Sequence, residues 1–447
     1  MTDLPPSAKA RESRRVAVAT FVGTTLEWYD FYLYALCAAL VFGPLFFSSS
    51  DPVTGQLGAL ATLAVGFVAR PVGGVIAGHF GDRLGRKKML VWTLLIMGGA
   101  TVAVGLVPTY QQIGLWAPVV LVVLRIVQGL AMGGEWGGAV SMAIEHAPAN
   151  RRALYSSAPM VGPGAGLVLA NLMLLALIGL TGDSFAQWGW RFAFVSSAVL
   201  IAVGIYARRQ LTESPLFEQS IAQEPARVPI LEVLRSHRAT LLTTLVVAGV
   251  PGISTYMVYT YTLSYGTNTI GYDRSSLLWI AIAVSAISIP LTVIFARFGD
   301  RFGVFPILML GSIAQIGTAI ILFPLFDSGN LVLAALASLV SVAAACLSFG
   351  CVAPMLASKF PPSIRYTGIS LSYQLGSVVG GGFAPLIATS LFASTGNSFF
   401  IGLYMAGANV LALGCLLYLS AKTVTENRSS AQSTDSTPHT RTTDLAL

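Results

Sequence analysis

The chain consists largely of apolar runs, each about twenty residues long and separated by short polar stretches. A helix of about twenty apolar residues is long enough to cross the hydrocarbon core of a bilayer, which is about 30 Å thick. Only 10% of the 447 residues are charged, which excludes an ordinary soluble domain, where roughly 25% are charged. The 45 glycines favour closely packed helices over barrel strands. The sequence therefore predicts an all-α membrane protein.

Twelve transmembrane helices are predicted from these apolar runs. They are placed at residues 16–44, 56–80, 88–107, 115–138, 155–180, 188–207, 240–263, 277–296, 304–325, 331–357, 366–393 and 398–420. Apart from Arg70, Arg125, Arg191 and Arg274, the 26 Lys and Arg residues fall in the two tails and in alternate loops. By the positive-inside rule, we expect a multi-pass protein of the cell inner membrane with both termini in the cytoplasm.

The charged residues, cysteines and histidines argue against a nucleic-acid-binding protein, a metalloprotein or an enzyme. The net charge of +7 is spread along one membrane face, so it indicates topology, and no nucleic-acid partner is expected. The four cysteines and four histidines lack the spacing of metal ligands, and the sequence has no phosphate-binding loop. We therefore expect no metal, no cofactor and no enzyme, but transport driven by an ion gradient. A receptor or a channel is a further alternative class.

A repeated segment divides the chain into two halves. HFGDRLGRKK (79–88) and RFGDRFGVFP (297–306) share Phe-Gly-Asp-Arg, one variable residue and Gly, at a separation close to half the chain. Such duplication predicts two pseudo-symmetric six-helix bundles. The predicted parts are a cytoplasmic tail (1–15), the N-terminal bundle (16–207), a cytoplasmic linker (208–239), the C-terminal bundle (240–420) and a disordered tail (421–447).

The first copy of this loop resembles the signature loop of the major facilitator superfamily. Six further motifs resemble the metabolite:proton symporter family of that superfamily. They are LEWYDF, ARPVGG, RIVQGLAMGGEWGG, GWRFAF, LTESPLF and YTGISLSYQLGSVVGGG. The resemblance implies proton-coupled symport of a small polar metabolite, such as shikimate, 2-oxoglutarate, proline or betaine, by alternating access. The expected partners are this metabolite, protons and the lipid bilayer, and the chain is expected to act as a monomer.

A proton-coupled antiporter of the same superfamily is the alternative within transporters. Such exporters resemble one another in a glycine-proline motif of the fifth span, and Gly162-Pro163 is similar to it. Ala158, however, stands where the upstream glycine of that motif would fall. The symporter interpretation also accounts for the other motifs, so we favour it.

Two carboxylates in the first span are the candidate proton-coupling pair. Glu27 and Asp30 lie about 17 and 21 Å along a helix that begins near Val16. A carboxylate at that depth is costly, and a spacing of three residues places both on one helical face. Tyr34 extends the same face and is assigned to the substrate site. The alternative is a structural role, either in a permanent salt bridge or in hydrogen bonds to backbone.

The fourth span carries a second polar stripe, formed by Arg125, Gln128 and Glu135. Arg125 lies about 15 Å deep, level with the carboxylates of the first span. Its guanidinium either binds a substrate carboxylate, balances one of those carboxylates, or forms a fixed ion pair. Gln128 is assigned to the substrate site, and Glu135, near the cytoplasmic end, to a gate.

The remaining substrate candidates lie in other spans. Arg70 precedes Pro71 in the second span, and its side chain either extends to the membrane interface or enters the cavity. The C-terminal half is poorer in charge, so its candidates are uncharged. They are Tyr256, Tyr259, Tyr373 and Gln374. Tyrosines in a helix bundle also serve as packing or interfacial residues.

The charges of the two signature loops are assigned to a gate. They are Asp82, Arg83, Arg86, Asp300 and Arg301. They can pair with charges or helix ends of the facing half when the cytoplasmic side closes. Val304 stands where the first copy has Arg86, so a gating role for that cation belongs to the N-terminal half. The alternative is that the basic residues only determine topology.

Overall fold

The computed structural model describes residues 6–47, 52–213 and 229–435, and all regular structure within these ranges is helical. Twelve long helices, labelled α1 to α12, account for most of it. They are α1 (Pro6–Cys37), α2 (Pro52–Leu84), α3 (Arg86–Leu106), α4 (Trp116–Glu145), α5 (Ala158–Thr181), α6 (Ser197–Arg209), α7 (Arg238–Tyr256), α8 (Arg274–Phe302), α9 (Val304–Asp327), α10 (Leu331–Lys359), α11 (Arg365–Ser377) and α12 (Phe399–Asp435).

Shorter helical segments extend or connect these helices. The segments that extend them are Ala38–Phe42 and Gly43–Phe46 after α1, Gly189–Val195 before α6, Met257–Tyr261, Thr262–Tyr265 and Gly266–Ile270 after α7, and Val378–Gly382 and Ala384–Thr395 after α11. The connecting segments are Tyr110–Ile113, Ala149–Arg151, Arg152–Ser156, Gly182–Phe185 and Pro229–Ser236. Four of these extensions are π-helical. One follows α1, two belong to the extension of α7, and one follows α11.

The predicted twelve transmembrane helices are confirmed. Among the described residues, eleven helices are long and apolar enough to cross a membrane, and a pair bent by 43° in the first span brings the total to twelve. Their outward-facing side chains are apolar and exposed, as at Trp116 (70%) and Leu180 (82%). Such apolar faces can contact lipid. The backbone polar groups beneath them are hydrogen-bonded within each helix, as a bilayer without water requires.

The two signature loops adopt the same backbone conformation. α2 ends and α3 begins around Gly85, whose φ is 112°, and α8 and α9 meet in the same way at Gly303, with φ 97°. Residues other than glycine rarely adopt this conformation. The glycine shared by both copies is therefore required by the turn, which supports duplication of a six-helix unit.

The halves contact each other through symmetry-related pairs of helices. α11 packs on α2 and α4, and α5 packs on α8. Glycines allow the close approach: a Cβ atom on Gly137 would collide with Ser370, and one on Gly78 with Thr367. The halves therefore enclose a space bounded by α1, α2, α5, α7, α8, α10 and α11.

Three predicted boundaries differ from the structure. α1 begins at Pro6 instead of residue 16, because proline suits the first helical turn and good helix formers follow it. The predicted linker (208–239) begins inside α6 and contains the helix Pro229–Ser236. The predicted disordered tail is helical up to Asp435, since neither glycine nor proline interrupts residues 415–435. Residues 436–447 lie outside the described ranges.

Candidate functional site

A cavity of about 110 Å³ lies between the halves. One wall, from α1, α2 and α5, contributes Trp28, Tyr32 and Arg70, and the other, from α7, α8, α10 and α11, contributes many hydroxyl groups. Of the residues predicted to bind substrate, four line this cavity. They are Arg70, Tyr256, Tyr259 and Tyr373. Arg125, Gln128, Tyr34 and Gln374 are buried nearby but are not part of its lining.

Arg70 supplies positive charge to the cavity. Its side chain is buried, with the guanidinium carbon 4.2 Å from the ring centre of Phe67, 4.8 Å from that of Phe31 and 5.3 Å from that of Trp28. Aromatic faces stabilise a guanidinium that has lost its water. Its Nη2 atom has no hydrogen-bond partner among the described residues. Arg70 thus enters the cavity instead of extending to the interface, and it retains an unused donor.

Glu27, on α1, is buried within the electrostatic range of this arginine. Its exposed fraction is 4%, and its Oε1 atom has no hydrogen-bond partner within the described part of the chain. The charged groups that act on it are Glu135, Arg70, Arg208 and Asp30. A buried carboxylate requires pairing or neutralisation. Glu27 thus has no ion-pair partner at salt-bridge distance among the described residues, although two arginines act on its charge.

Asp30 has two neutral hydroxyl groups as its direct hydrogen-bond partners. Its two oxygens accept hydrogen bonds from Thr101 Oγ1 (2.9 Å) and Ser197 Oγ (2.8 Å). Thr101 in turn accepts a hydrogen bond from Gln128 Nε2 (2.8 Å), and Gln128 Oε1 accepts one from Arg125 Nη1 (3.0 Å). Asp30 is therefore connected to Arg125 through two uncharged side chains instead of a direct ion pair.

Arg125 lies against Tyr34. Its guanidinium carbon is 3.4 Å from the centre of the Tyr34 ring, and its Nε and Nη2 atoms have no hydrogen-bond partners among the described residues. The Tyr34 hydroxyl shares a hydrogen bond of 2.6 Å with Thr62 Oγ1. Arg125 is thus linked to Asp30 through Gln128 and Thr101, as their predicted equal depth allows, but it is not among the residues that line the cavity.

Glu135 pairs with a residue that the sequence analysis assigned to the linker. Arg208, in the last turn of α6, forms a buried ion pair with Glu135 and also donates to the carbonyl of Leu90. Thr93 Oγ1 donates a second hydrogen bond to Glu135, at 3.1 Å. The guanidinium fits against Gly23, where a Cβ atom would collide with it. Arg208 thereby connects α1, α3, α4 and α6.

The signature-loop aspartates bind helix N-termini of the opposite half. Asp82 accepts hydrogen bonds from Tyr366 N (3.2 Å), Thr367 N (3.0 Å) and Thr367 Oγ1 (2.8 Å) at the start of α11. Asp300 accepts hydrogen bonds from Ala153 N (2.8 Å) and Leu154 N (2.9 Å). A carboxylate at a helix N-terminus is favourable because it meets free N–H groups and the positive end of the dipole.

Arg86 adds a charged connection to the same interface. Its Nη2 atom lies 3.1 Å from Glu145 Oε1 and donates to the carbonyl of Pro362 at 2.9 Å. Arg365 Nη1 contacts the same Glu145 oxygen at 3.0 Å. We call the end of the bundle that carries these contacts the basic face. Arg83 and Arg301, by contrast, are exposed and are not brought into this cluster.

Replacement of Asp82 tests the gate assignment. We expect Asp82→Asn to weaken the connection to α11 and to raise the population open at the basic face by about tenfold, the scale of a lost charge-assisted hydrogen bond. A Ser370→Cys reporter, buried at the contact between α4 and α11, should then react faster with a thiol reagent. The exposed neighbour Arg83→Gln is the control. Equal labelling in Asp82→Asn and in the control contradicts the assignment.

Two groups of site residues escaped sequence analysis. The first is Trp136, which stacks on the predicted Tyr373 across the halves with ring centres 3.5 Å apart. The predicted Gln374, next to Tyr373, donates from Nε2 to Gly133 O at 3.1 Å. The second group is a row of hydroxyls on α8. They are Ser285, Ser288 and Thr292. Their offsets of zero, three and seven residues form one helical stripe, so a search for polar stripes in the C-terminal half would have found them.

Comparison with known proteins identifies the family. The model of the Major Facilitator Superfamily matches residues 20–385. The chain is 39% identical over 410 residues to the shikimate transporter of Escherichia coli K12, covering 91% of this chain and 92% of the relative. It is 40% identical over 419 residues to the inner membrane metabolite transport protein YhjE of the same bacterium, covering 90% and 93%.

A solved structure supports the same fold. The structure of the proton:xylose symporter XylE bound to 6-bromo-6-deoxy-D-glucose superimposes with a TM-score of 0.75, at 17% identity, over 91% of this chain and 95% of the other. The chain therefore belongs to the major facilitator superfamily. It is a multi-pass membrane transporter of metabolites, not an enzyme, and the family resemblance of the sequence motifs is confirmed.

Proposed function

We propose that the protein is a symporter that moves a small metabolite bearing a carboxylate together with a proton. The observation that carries this proposal is that two buried groups lack partners within electrostatic range of each other: Arg70, which lines the cavity and has an unused donor, and Glu27, which has an unpaired oxygen. A guanidinium in a buried site binds a carboxylate through charge-assisted hydrogen bonds. The relatives named above include a shikimate transporter, and shikimate is a carboxylic acid.

Proton coupling follows if Glu27 and the substrate compete for Arg70. While Glu27 is ionised, its negative charge attracts the guanidinium; once it is protonated, the guanidinium is free for the substrate carboxylate. Proton binding and substrate binding then favour each other, and by linkage the effect is reciprocal. Movement of both together across the membrane requires the cavity to open alternately at the basic face and at the opposite face.

Arg125 has a different proposed role. Because it stacks on Tyr34 and is connected to Asp30 through Gln128 and Thr101, it acts as the counter-charge of Asp30. Asp30 would then be the second member of the coupling pair, with its charge balanced within the N-terminal half. Arg70 replaces Arg125 as the first candidate for substrate binding.

Lysine substitutions distinguish the two arginines. Arg70→Lys should weaken substrate binding by about 1–3 kcal/mol, since an ammonium cannot reproduce the paired hydrogen bonds of a guanidinium. Arg125→Lys retains the charge near Asp30 and should bind substrate with nearly unchanged affinity. Affinities measured by calorimetry on the purified variants check this. If Arg125→Lys weakened substrate binding more than Arg70→Lys, Arg125 and not Arg70 would be assigned to substrate binding.

Uptake by reconstituted protein tests the function itself. Proteoliposomes with an imposed pH gradient should accumulate shikimate or another carboxylated metabolite when the outside is more acidic, and a sodium gradient alone should have no effect. An antiporter would instead expel substrate toward the acidic side. Accumulation driven only by sodium, or movement toward the acidic compartment, would refute proton symport.

We infer further that the protein lies in the inner membrane with both ends of the chain in the cytoplasm. The relative YhjE is named as an inner membrane protein, and the basic loops cluster at one face. Cysteine labelling from either side of sealed cells tests the orientation. The cytoplasmic face would then be the basic face, where the two signature loops join the halves.

A further inference from the structure

We propose that Arg208 moves between two carboxylates, Glu135 and Glu27, and that this exchange transfers the proton of Glu27 to Glu135, on the side of the basic face. The role deepens the proposed function and rests on it, because Glu27 is the proton site of the proposed symporter. Arg208 lies outside the cavity lining. Its position against α1, its present partner and the charges around Glu27 carry the assignment.

The guanidinium of Arg208 lies against α1 one turn before Glu27. A Cβ atom on Gly23 would overlap Arg208 Nη2, so the glycine leaves the room that this group occupies. Gly23 and Glu27 are four residues apart, a spacing that places Cβ atoms on one helical face about 5–6 Å apart. One turn earlier in α6, Leu26 lies against Gly204 and keeps the two helices close. Glu27 is therefore within reach of Arg208 by rotation of side chains.

Arg208 holds only one of the two carboxylates in this structure. The nitrogen atom that lies against Gly23, Nη2, forms the ion pair with Glu135. Glu27 Oε1 has no hydrogen-bond partner among the described residues. A buried carboxyl group is stable with a counter-charge or with a proton. The arrangement therefore fits an ionised Glu135 paired with Arg208 and a protonated Glu27.

Exchange of the arginine conserves the buried charge. Before it, Glu135 is ionised and paired while Glu27 holds a proton; after it, Glu27 is ionised and paired while Glu135 holds the proton. Thr93 Oγ1 can serve both states: it donates to Glu135 Oε2 at 3.1 Å, and its alternative acceptor, Leu90 O, lies at 3.2 Å. With its proton turned to Leu90, the hydroxyl accepts from the protonated acid. Neither state leaves a costly unpaired charge in the bundle.

Glu135 lies nearer to the basic face than Glu27 does. Ser13 Oγ on α1 donates to His146 O at the end of α4 at 2.5 Å, so these two residues are level at that face. At 1.5 Å per residue, Glu27 lies about 21 Å from this level and Glu135 about 16 Å from it. The transfer therefore moves the proton toward the basic face.

The charged groups that act on Glu27 come from α1, α2, α4 and α6. In decreasing effect, they are Glu135, Arg70, Arg208 and Asp30. Two hydroxyls of α11 lie within the same range, those of Tyr366 and Tyr373. α5 packs along α1 but contains no titratable residue. In the proposed symport the substrate carboxylate takes Arg70, so Arg208 is the counter-charge that lets Glu27 release its proton while substrate is bound.

Infrared titration of the purified full-length protein, without substrate, tests the exchange. A protonated carboxyl group has its own C=O stretching band, and the part of it that Glu27→Gln removes belongs to Glu27. Glu135→Gln should lower the pH midpoint of that band by about one unit, a tenfold change in proton affinity, because Arg208 then stabilises the ionised Glu27. Adding Arg208→Gln should abolish this shift, whereas adding Arg209→Gln, at the exposed neighbour, should leave it.

Three results overturn the proposal. The first is an unchanged midpoint in Glu135→Gln. The second is an equal lowering when Arg208→Gln is added, since the lost charge of Glu135 and not the arginine would then move the midpoint. The third is a Glu27 band that does not change with pH in the wild-type protein.

Unfolding of the same variants supplies a second measurement. Because either carboxylate can hold Arg208, Glu27→Gln and Glu135→Gln should each be tolerated, while the two together leave the arginine unpaired. The loss of stability in the double variant should therefore exceed the sum of the two single losses. Additive losses contradict the sharing of Arg208. Failure of Glu135→Gln alone to fold contradicts it too, since Glu27 would not have replaced Glu135.

The outcome is separable from the test of proton symport, because neither measurement uses substrate or a gradient. If the Glu27 band responds as expected but a pH gradient drives no uptake, the shared arginine stands and symport fails. If a pH gradient drives uptake but the midpoint does not move in Glu135→Gln, symport stands and the exchange fails.

Discussion

Glu27→Gln should abolish accumulation of substrate against a gradient while leaving binding and exchange intact. Glutamine resembles the protonated glutamate, so Arg70 remains available to the substrate at every pH. In the wild-type protein, affinity should rise as the pH falls, because protonation of Glu27 frees the guanidinium. In the variant, affinity should no longer depend on pH, and the accumulation ratio in proteoliposomes should fall to about one.

The matched measurements are pH-driven uptake and exchange at equal pH on both sides. Asp183→Asn, at an exposed position in the segment Gly182–Phe185, controls for the loss of a carboxylate elsewhere. Asp30→Asn should also impair accumulation if Asp30 is the second member of the pair. Proton-driven accumulation at the wild-type level in both Glu27→Gln and Asp30→Asn would disprove the coupling assignment.

Most of the fold was predictable because lipid imposes a strong constraint on sequence. A span must be apolar over about twenty residues, so the number of helices and most of their limits followed from hydropathy. The shared glycines at 85 and 303 also marked the duplication. The ends were harder: α1 and α12 extend beyond the membrane as polar helices, and no apolar pattern marks where such a helix stops.

Most residue types of the site could be predicted from the sequence, but which side chains contact one another could not. Helical spacing placed Arg125 and Gln128 on one face, yet periodicity does not tell which neighbouring helix that face meets. It meets Tyr34 and Thr101 and not the cavity. Conversely, nothing in the sequence around Arg70 distinguishes an arginine that extends to the interface from one held by three aromatic rings from α1 and α2.

Arg208 is the residue whose buried position was hardest to predict from the sequence. It stands beside Arg209 at the end of a span, where basic residues usually reflect topology, and both fall in the predicted linker (208–239). In the structure, Arg208 is buried and Arg209 is exposed. The available signals were Glu135, a membrane carboxylate that needs a partner, and Gly23, whose missing side chain leaves room one turn before Glu27.

Arg208→Gln should destabilise the protein by about 3–5 kcal/mol, the usual effect of removing one partner of a buried ion pair. The variant leaves Glu135 charged and buried with only Thr93 as a donor, and it also removes the hydrogen bond to Leu90 O. Reversible unfolding in mixed micelles measures the change. Arg209→Gln, one residue further and exposed, should leave the free energy of unfolding within about 0.5 kcal/mol of the wild type.

A double-mutant cycle separates the ion pair from general packing. If the loss arises from the unpaired carboxylate, Glu135→Gln introduced into Arg208→Gln should restore part of the stability, because two neutral amides leave no buried charge. If Arg208 acts only by filling space beside Gly23, the two effects should simply add. A single-variant loss as small as that of Arg209→Gln would contradict both, since it would mean that Glu135 remains stable in the bundle without its arginine.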